Sequence, residues 1–336
     1  MILLKPLKLK RKKLKWGIAG CGKFSENSVI PTLMKLSKSE IISIYSSDIN
    51  RAKHLGDKIG AEAFNDFHKF LQSDIDAVYI GSANSDHHWQ AIESIKANKK
   101  VLCEKPLTLN SIQAKEILEL SKNNKVPFGV NFAYRFHPLI SKAKEIIDKQ
   151  SIGKIIAINI HYMVDYSPNE NFRFIKAKSG GGPLRDIGSH VIDLFRFFGG
   201  EIERIEGVLD NIVYKSEVED FALGYAKFEK GGYGSFIVSF NAKKSSNRIQ
   251  IIGYNGSIEI ENVISQKIFP SKISIDLSGE RKKAFYKRGD KILAALKSFQ
   301  NSFLKNETPP VSAYDGYINI KLIEEIETKW MQKKNS

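Results

Sequence analysis

Lys15-Trp16-Gly17-Ile18-Ala19-Gly20-Cys21-Gly22-Lys23-Phe24-Ser25 is the stretch that decides the fold. Lys15–Ala19 reads as a short apolar strand, and the G-x-G-x-x-S run Gly20–Ser25 turns it into a helix. Glycines there let the backbone turn tightly and approach a pyrophosphate, whose charge the next helix N-terminus favours. Ser25 stands in place of a third glycine, so helix and strand are expected slightly further apart, and Pro31 is expected to delay or break the helix. Gly20, Gly22, Lys23 and Phe24 thereby become candidate contacts for a dinucleotide.

Moving outward, the pattern repeats. Ile41–Ser46 reads as a second strand, and Asp48 is placed to cap a helix through Asn50–Lys58 that Gly60 ends. Ala61–Phe64, Ala77–Ile80, Val101–Cys103 and Phe128–Val130 supply four more strands, with helical segments at Asp86–Asn98 and near Asn110–Asn123. Strands alternating with helices imply parallel pairing and helices on both sheet faces, so six of them make a doubly wound Rossmann sheet. At the end of the second strand, a carboxylate reads an adenosine ribose hydroxyl, while hydroxyls or a cation admit a 2′-phosphate. The chain has Ser46, Ser47 and Asp48 there, with Arg51 one turn on; Asp48 fits either the ribose or the helix cap, and the choice between NAD and NADP stays open.

After about residue 150 the grammar changes. Ile155–Met163, Phe221–Phe228, Tyr233–Phe240, Arg248–Gly253 and Ser257–Glu261 read as strands, the last two joined across Asn255-Gly256, a strong hairpin signal. One helix, Asp186–Phe198, interrupts them before Gly199-Gly200, and two more, near Asp290–Leu304 and Tyr314–Trp330, close the chain around Pro309-Pro310. This predicts an α/β domain over 15–131 and an α+β domain over 132–336 with a large, open, mostly antiparallel sheet, behind a basic arm at 1–14.

The composition fits a two-domain globular protein: 336 residues, 42% apolar and 26% charged. No apolar run is long enough for a membrane helix, and no signal peptide is recognisable, so a cytoplasmic location is expected. Cys21 and Cys103 are too few for a disulfide framework and fit a reducing compartment. The net charge of +15 is concentrated at the start: Lys5, Lys8, Lys10, Arg11, Lys12, Lys13 and Lys15 occur without an acid, leaving +8 elsewhere. Such an arm neutralises phosphates, but an over-long start ahead of the first strand is the simpler reading, and nucleic acid is not an expected partner.

Two further stretches carry chemistry. Cys103-Glu104-Lys105-Pro106 sets a lysine at the carboxyl edge of the sheet, where open α/β folds bind ligands and where an ammonium polarises an oxygen. Gly180-Gly181-Gly182-Pro183-Leu184-Arg185-Asp186-Ile187-Gly188-Ser189-His190 opens a helix that carries Asp186, His190 and Asp193 along one stripe. Asp186 and His190 sit one turn apart, so the carboxylate is expected to orient or charge an imidazole suited to exchanging a hydroxyl proton. The alternatives are a helix-packing histidine, or a metal held by these residues with a ligand such as His161, although no metal is expected. Arg173, Lys176, Lys178 and Arg185 gather around this helix and would suit a substrate phosphate or carboxylate, unless they form a solvated basic loop.

With these pieces in hand, the chain resembles the glucose–fructose oxidoreductase / inositol dehydrogenase (Gfo/Idh/MocA) family over nearly everything after residue 15. The resemblance rests on Gly17–Gly22, Ser82-Ala83-Asn84-Ser85-Asp86-His87, Cys103–Pro106, Tyr134-Arg135-Phe136-His137-Pro138, Gly180–Asp193, Pro309-Pro310-Val311-Ser312 and Asp315-Gly316. It implies that Lys105, Asp186 and His190 form a catalytic set, and that Ser82, Ala83, Asn84, His87 and Glu104 line the dinucleotide site. Arg135 and Arg173 join the catalytic set as expected substrate contacts. Ala83 stands where the family often has proline, and Ser47 where it often has arginine, leaving Arg51 as the contact for a 2′-phosphate. The resemblance further implies an NAD- or NADP-dependent oxidoreductase of a sugar, cyclitol or sugar nucleotide, forming a homodimer or homotetramer through its C-terminal sheet. Rival readings are a non-catalytic NAD(P) sensor or scaffold, and a reductase of a non-sugar substrate such as a dihydrodiol.

Overall fold

The computed structural model describes residues 13–263 and 270–335. Most of the basic arm, Lys5 through Lys12, therefore lies outside the described residues; Lys13 and Lys15 lie within them, facing Glu40 and Asp74.

Six strands, β1 (Leu14–Ala19), β2 (Ser39–Tyr45), β3 (Glu62–Phe64), β4 (Ala77–Ile80), β5 (Lys100–Cys103) and β6 (Phe128–Val130), form one sheet in the order β3-β2-β1-β4-β5-β6. Every pairing in it is parallel. The helices between them are α1 (Ile30–Lys35), α2 (Ile49–Ile59), α3 (Phe67–Gln72), α4 (Asn84–Lys96) and α5 (Ser111–Asn123). Local chemistry sets their ends. Asp48 caps α2 by accepting from the Asn50 amide at 2.9 Å, Gly60 closes it in the left-handed region, and Asn110 caps α5 through Gln113 N. α3 was invisible to periodicity because it is only six residues long.

The second half contains α6 (Pro138–Asp148), β7 (Ile155–Asp165), α7 (Lys176–Ser179), α8 (Ser189–Gly199), β8 (Ile202–Asp210), β9 (Phe221–Phe228), β10 (Tyr233–Ser239), β11 (Asn241–Gly253), β12 (Gly256–Glu261), β13 (Ser271–Leu277), β14 (Lys283–Lys287), α9 (Lys291–Lys305) and α10 (Ala313–Lys334). Its eight-stranded sheet runs β14-β13-β12-β11-β7-β10-β9-β8. The sheet is mostly antiparallel, as expected, with one parallel pair: β10 lies along β7, because α8 and the β8-β9 pair intervene in the chain. The β11–β12 hairpin forms as expected, but its two-residue turn is Tyr254-Asn255, since Gly253 already pairs with Gly256. Backbone bonds from Tyr254 N to Lys154 O and from Asn255 N to Ile152 O hold this turn, overriding the Asn-Gly preference.

Alternation along β9 and β10 buries Ala222, Ala226, Phe236 and Val238 and exposes Leu223, Tyr225 and Tyr233 on the opposite face. The covered face forms one core with α6 and α8, and the Rossmann sheet forms the other. The C-terminal helices return to the first core: Phe299 of α9 packs where Gly129 leaves room, and α10 contributes Ile320 to one core and Ile323 to the other. α8 is seated on the sheet by Phe195, which lies against Phe228 and Phe236 and occupies the gap left by Gly234. Truncating that fully buried ring in Phe195→Ala removes the seat, and we expect a loss of about 3–5 kcal/mol in urea unfolding of the sheet domain. A loss below about 1 kcal/mol would mean that α8 is held elsewhere.

Candidate active site

The dinucleotide loop is built as the glycine spacing requires. Gly20 has φ of +108°, and a Cβ on it would lie 2.5 Å from the Ser82 amide nitrogen, so only glycine lets β1 end against the turn after β4. Gly22 faces open space, with its nearest neighbour 4.0 Å from where a Cβ would stand. That cradle, at the carboxyl edge of a parallel sheet and ahead of a helix, fits a pyrophosphate. Lys23 and Phe24 are exposed beside it. The segment continues as a π-helical turn, Ser25–Val29, before α1, whose first turn accommodates Pro31. Beside Ser25 the chain passes close at Gly81, where a Cβ would lie 2.9 Å from Ser25 Oγ.

At the end of β2, Ser46 is buried and its hydroxyl accepts from Asp48 N at 3.2 Å, while Ser47 and Arg51 are exposed. The Asp48 carboxylate serves as the helix cap, which settles its local role. After β4, Ser82 Oγ bonds Gln90, and Ala83 holds the N-cap position of α4 without a side-chain bond. Asn84 reaches across to the second half of the chain and donates to Ser179 O at 3.0 Å. His87 is buried, its Nδ1 2.9 Å from Pro106 O and its Nε2 3.3 Å from Ser82 O, so one ring joins two loops of the site. Burial pushes its pKa down, and a neutral ring with a single N–H donates to one of these two carbonyls at a time.

Glu104 follows β5 and accepts hydrogen bonds from Tyr79 and Asn131 at 2.8 and 2.6 Å; burial raises its pKa despite them. Its neighbour Lys105, ahead of a cis peptide to Pro106, extends to the second half of the chain. Its Nζ donates to Asp186 Oδ1 and to the Asp186 carbonyl, both at 2.7 Å.

The glycine run before Asp186 is held by a residue that carried no signal in the sequence, Glu219. Its carboxylate accepts from Gly182 N at 2.9 Å and Leu184 N at 3.2 Å, and burial pushes its pKa up to about 6. Gly182 passes so close that a Cβ would fall 2.0 Å from the Glu219 carbonyl oxygen. The expected helix start at Asp186 is a correction in detail: Leu184–Gly188 is a π-helical turn, and α8 begins at Ser189. The wider turn offsets Asp186 from His190, and the expected bond between them does not form. Asp186 instead gives one carboxylate oxygen to Lys105 and the other to Arg173 Nε at 3.0 Å. Burial acts to raise its pKa, but Lys105 and Arg173 outweigh it and hold the carboxyl well below the usual range. His190 is set instead by aromatic contact, its ring 4.3 Å from Tyr134 and edge-on to it. Burial, then the charge of Lys105, keep it neutral, and its Nδ1 is buried without a hydrogen-bond partner among the described residues.

Three expectations of the sequence are redistributed. Arg135, expected at the substrate, is committed to buried pairs with Asp193 at 2.6 Å and Asp315 at 3.0 Å, and stacks over Phe197. Arg185, grouped with the basic substrate cluster, forms a two-point pair with Glu327 and donates to Leu109 O. The alternative metal set is not assembled: Asp193 belongs to Arg135, and no group of three ligating residues occurs among the described residues. Lys291 and Glu219 carried no signal in the sequence, and Tyr134, quoted there only within a family motif, is what the His190 ring packs on; Lys291 Nζ lies 4.7 Å from the centre of the Tyr134 ring.

Comparison with known proteins agrees with this architecture. A profile described as "Oxidoreductase family, NAD-binding Rossmann fold" matches residues 14–132, and one described as "GFO/IDH/MocA C-terminal domain" matches 140–259. Oxidoreductase P35 of Formosa agariphila is 30% identical over 277 residues, 80% of this chain and 83% of the relative. Myo-inositol 2-dehydrogenase of Thermotoga maritima is 28% identical, covering 81% and 83% of the two chains. A solved structure of levoglucosan dehydrogenase with NADH and levoglucosan shares the fold, with a TM-score of 0.87 at 21% identity, over 96% of this chain and 98% of that one. Among the described residues no helix is long and apolar enough to cross a membrane. The chain is thus an oxidoreductase of the Gfo/Idh/MocA family, with an NAD-binding Rossmann domain followed by that family's C-terminal domain.

Proposed function

We propose that the protein interconverts a ring hydroxyl and a ketone on a sugar, cyclitol or sugar nucleotide, with Lys105, Asp186 and His190 as the catalytic residues. The observation that carries the reading is the Lys105–Asp186 ion pair, which draws the sheet edge of the first domain onto the glycine-led helix of the second, beside a neutral imidazole. Relatives named 1,5-anhydro-D-fructose reductase and myo-inositol 2-dehydrogenase support the substrate class.

Nicotinamide, when bound, supplies the acceptor or donor of hydride. Everything else falls to the side chains. Asp186, ionised under the charges of Lys105 and Arg173, fixes the Lys105 ammonium in place. That ammonium then donates to the reacting oxygen and stabilises charge that develops on it. Neutral His190 takes the hydroxyl proton in oxidation and returns it in reduction; general acid–base exchange of this kind is worth about 10²–10⁴-fold. Asp186 therefore bonds the lysine and reaches the imidazole through its charge alone. Gly20, Gly22, Lys23, Phe24, Asn84, His87 and Glu104 line the dinucleotide side.

Replacing His190 with Ala is expected to lower kcat at least about a hundredfold, while the affinity for the dinucleotide, read by calorimetry, stays within about twofold. Unchanged turnover would remove His190 from the chemistry. For the cofactor, the capping role of Asp48 leaves Ser46, Ser47 and Arg51 around the ribose, an environment that admits a 2′-phosphate. Thermal shifts with NADP⁺ and NAD⁺ should diverge in the native protein, and Arg51→Ala should shrink the NADP⁺ shift alone; equal losses for both would place Arg51 elsewhere. The open sheet face, with Leu223, Tyr225 and Tyr233 exposed, is assigned to a homodimer or homotetramer. Sedimentation equilibrium should return a mass two or four times that of the chain, and a monomer at micromolar concentration would refute it.

A further inference from the structure

The sequence gathers four cations, Arg173, Lys176, Lys178 and Arg185, around the helix of Asp186 and His190. The structure sorts them. Arg185 is consumed by Glu327 and Leu109 O, and Lys176 and Lys178 point their exposure to solvent on the short helix α7. Arg173 alone of the four reaches the Lys105–Asp186 pair.

Its setting is more than Asp186 needs. The Asp186 carboxylate takes one bond from the Lys105 ammonium, through Oδ1, and one from Arg173 Nε, through Oδ2; the second Lys105 bond goes to the Asp186 backbone carbonyl. The guanidinium spends Nε on Asp186 and has a marginal contact of 3.5 Å from Nη1 to Asn171, while Nη2 has no partner among the described residues. The Phe172 ring, 5.1 Å away, fixes the guanidinium plane. Of the three paired side chains Arg173 is the most open, at 38% exposure against 20% for Asp186 and 13% for Lys105. Its unused donors therefore stand at the outer side of the pair. Around the pair, Lys105 and Arg173 share the Asp186 carboxylate, the buried Glu104 carboxyl lies close enough to act on both cations, and His190 is neutral.

We propose that the substrate carries an oxyanion, a carboxylate or a phosphate, near the carbon that is oxidised or reduced, and that Arg173 receives it through the donors left over from Asp186. The proposal rests on the oxidoreductase reading above and narrows its substrate from sugars in general to acidic ones. Planar, two-point recognition of an oxyanion is the task for which a guanidinium is suited and an ammonium is not. A purely supporting Arg173, which did no more than hold Asp186, would treat acidic and neutral sugars alike.

The test compares D-glucose with D-glucuronate and D-glucose 1-phosphate, using the full chain, its Arg173→Gln and Arg173→Lys variants, and whichever cofactor it accepts. Because Arg173 touches Asp186, R173Q is expected to slow turnover of every sugar, so the readout is the ratio of kcat/KM between acidic and neutral members. In the native enzyme at least one acidic sugar should be favoured about tenfold or more, the size of one charge-assisted hydrogen bond. R173Q should bring the ratio close to one, and R173K should retain part of it. Whichever of the two acidic sugars gains more identifies carboxylate or phosphate as the recognised group. Calorimetry on the cofactor-loaded protein reads the same preference as a ratio of Kd values, independently of chemistry. A native ratio near one, a preference that survives R173Q, or no binding of either acidic sugar overturns the proposal. Failure to turn over any sugar would tell instead against the catalytic reading, while the binding ratio would still decide the place of Arg173.

Discussion

The contact between Lys105 and Asp186 is the constraint around which the rest of the molecule is arranged. It joins the end of β5 to a turn about 80 residues later in the chain, and it survives only if two separately built cores present their edges to one another. An ion pair with both partners mostly withdrawn from water gains little net free energy, because desolvation offsets attraction. Its value lies in geometry: an ammonium bonded to two oxygens of one residue cannot wander. Each core contributes rigidity to that end. His87, held between Ser82 and Pro106, settles one side, and Glu219 with Gly182 settles the other.

Two further bonds join the two halves: Asn84 bonds Ser179 O and Arg185 bonds Leu109 O; within the second half, α10 supplies Asp315 to Arg135 and Asn319 to Ser189 O. Arg135, Asp193, Asp315 and Arg196 form a buried alternation of charge in which every member has a partner. Removing one would strand the others, a larger loss than any single bond suggests. The network thus fixes α8 from below, while Phe195 fixes it on the sheet.

Much of this was legible in the chain. The Rossmann strands announced themselves because each is a short apolar run bounded by turn residues, and caps such as Asp48 and Asn110 fixed helix starts through local hydrogen bonds. Lys105 and Asp186 were readable as candidates because glycine and proline around them restrict the backbone. What was hidden depends on distance in sequence. Nothing near Glu219 reveals that its carboxylate caps Gly182, and nothing near Arg135 reveals two carboxylates 58 and 180 residues away. β14, Lys283–Lys287, escaped notice because an exposed, charged edge strand lacks an apolar face. The turn at Tyr254-Asn255 shows the converse, a strong local preference overruled by backbone bonds from residues 152–154.

The most instructive departure is the one-turn relation between Asp186 and His190. In an α-helix, positions four apart stack on one face, and a carboxylate there would orient the imidazole. The π-helical turn at Leu184–Gly188 widens the helix at that point, and the carboxylate is delivered to Lys105 instead. Such turns recur at functional sites because they re-aim one side chain without disturbing the helix that follows. Here the consequence is a division of electrostatic labour. The charged pair is Lys105 with Asp186, and the imidazole is left neutral, buried at Nδ1 and steadied by Tyr134. A buried ring nitrogen without a partner costs about 1–3 kcal/mol, and a fold tolerates that where a ligand is to complete the set. The neutral imidazole thus stands beside a cation that another residue holds still.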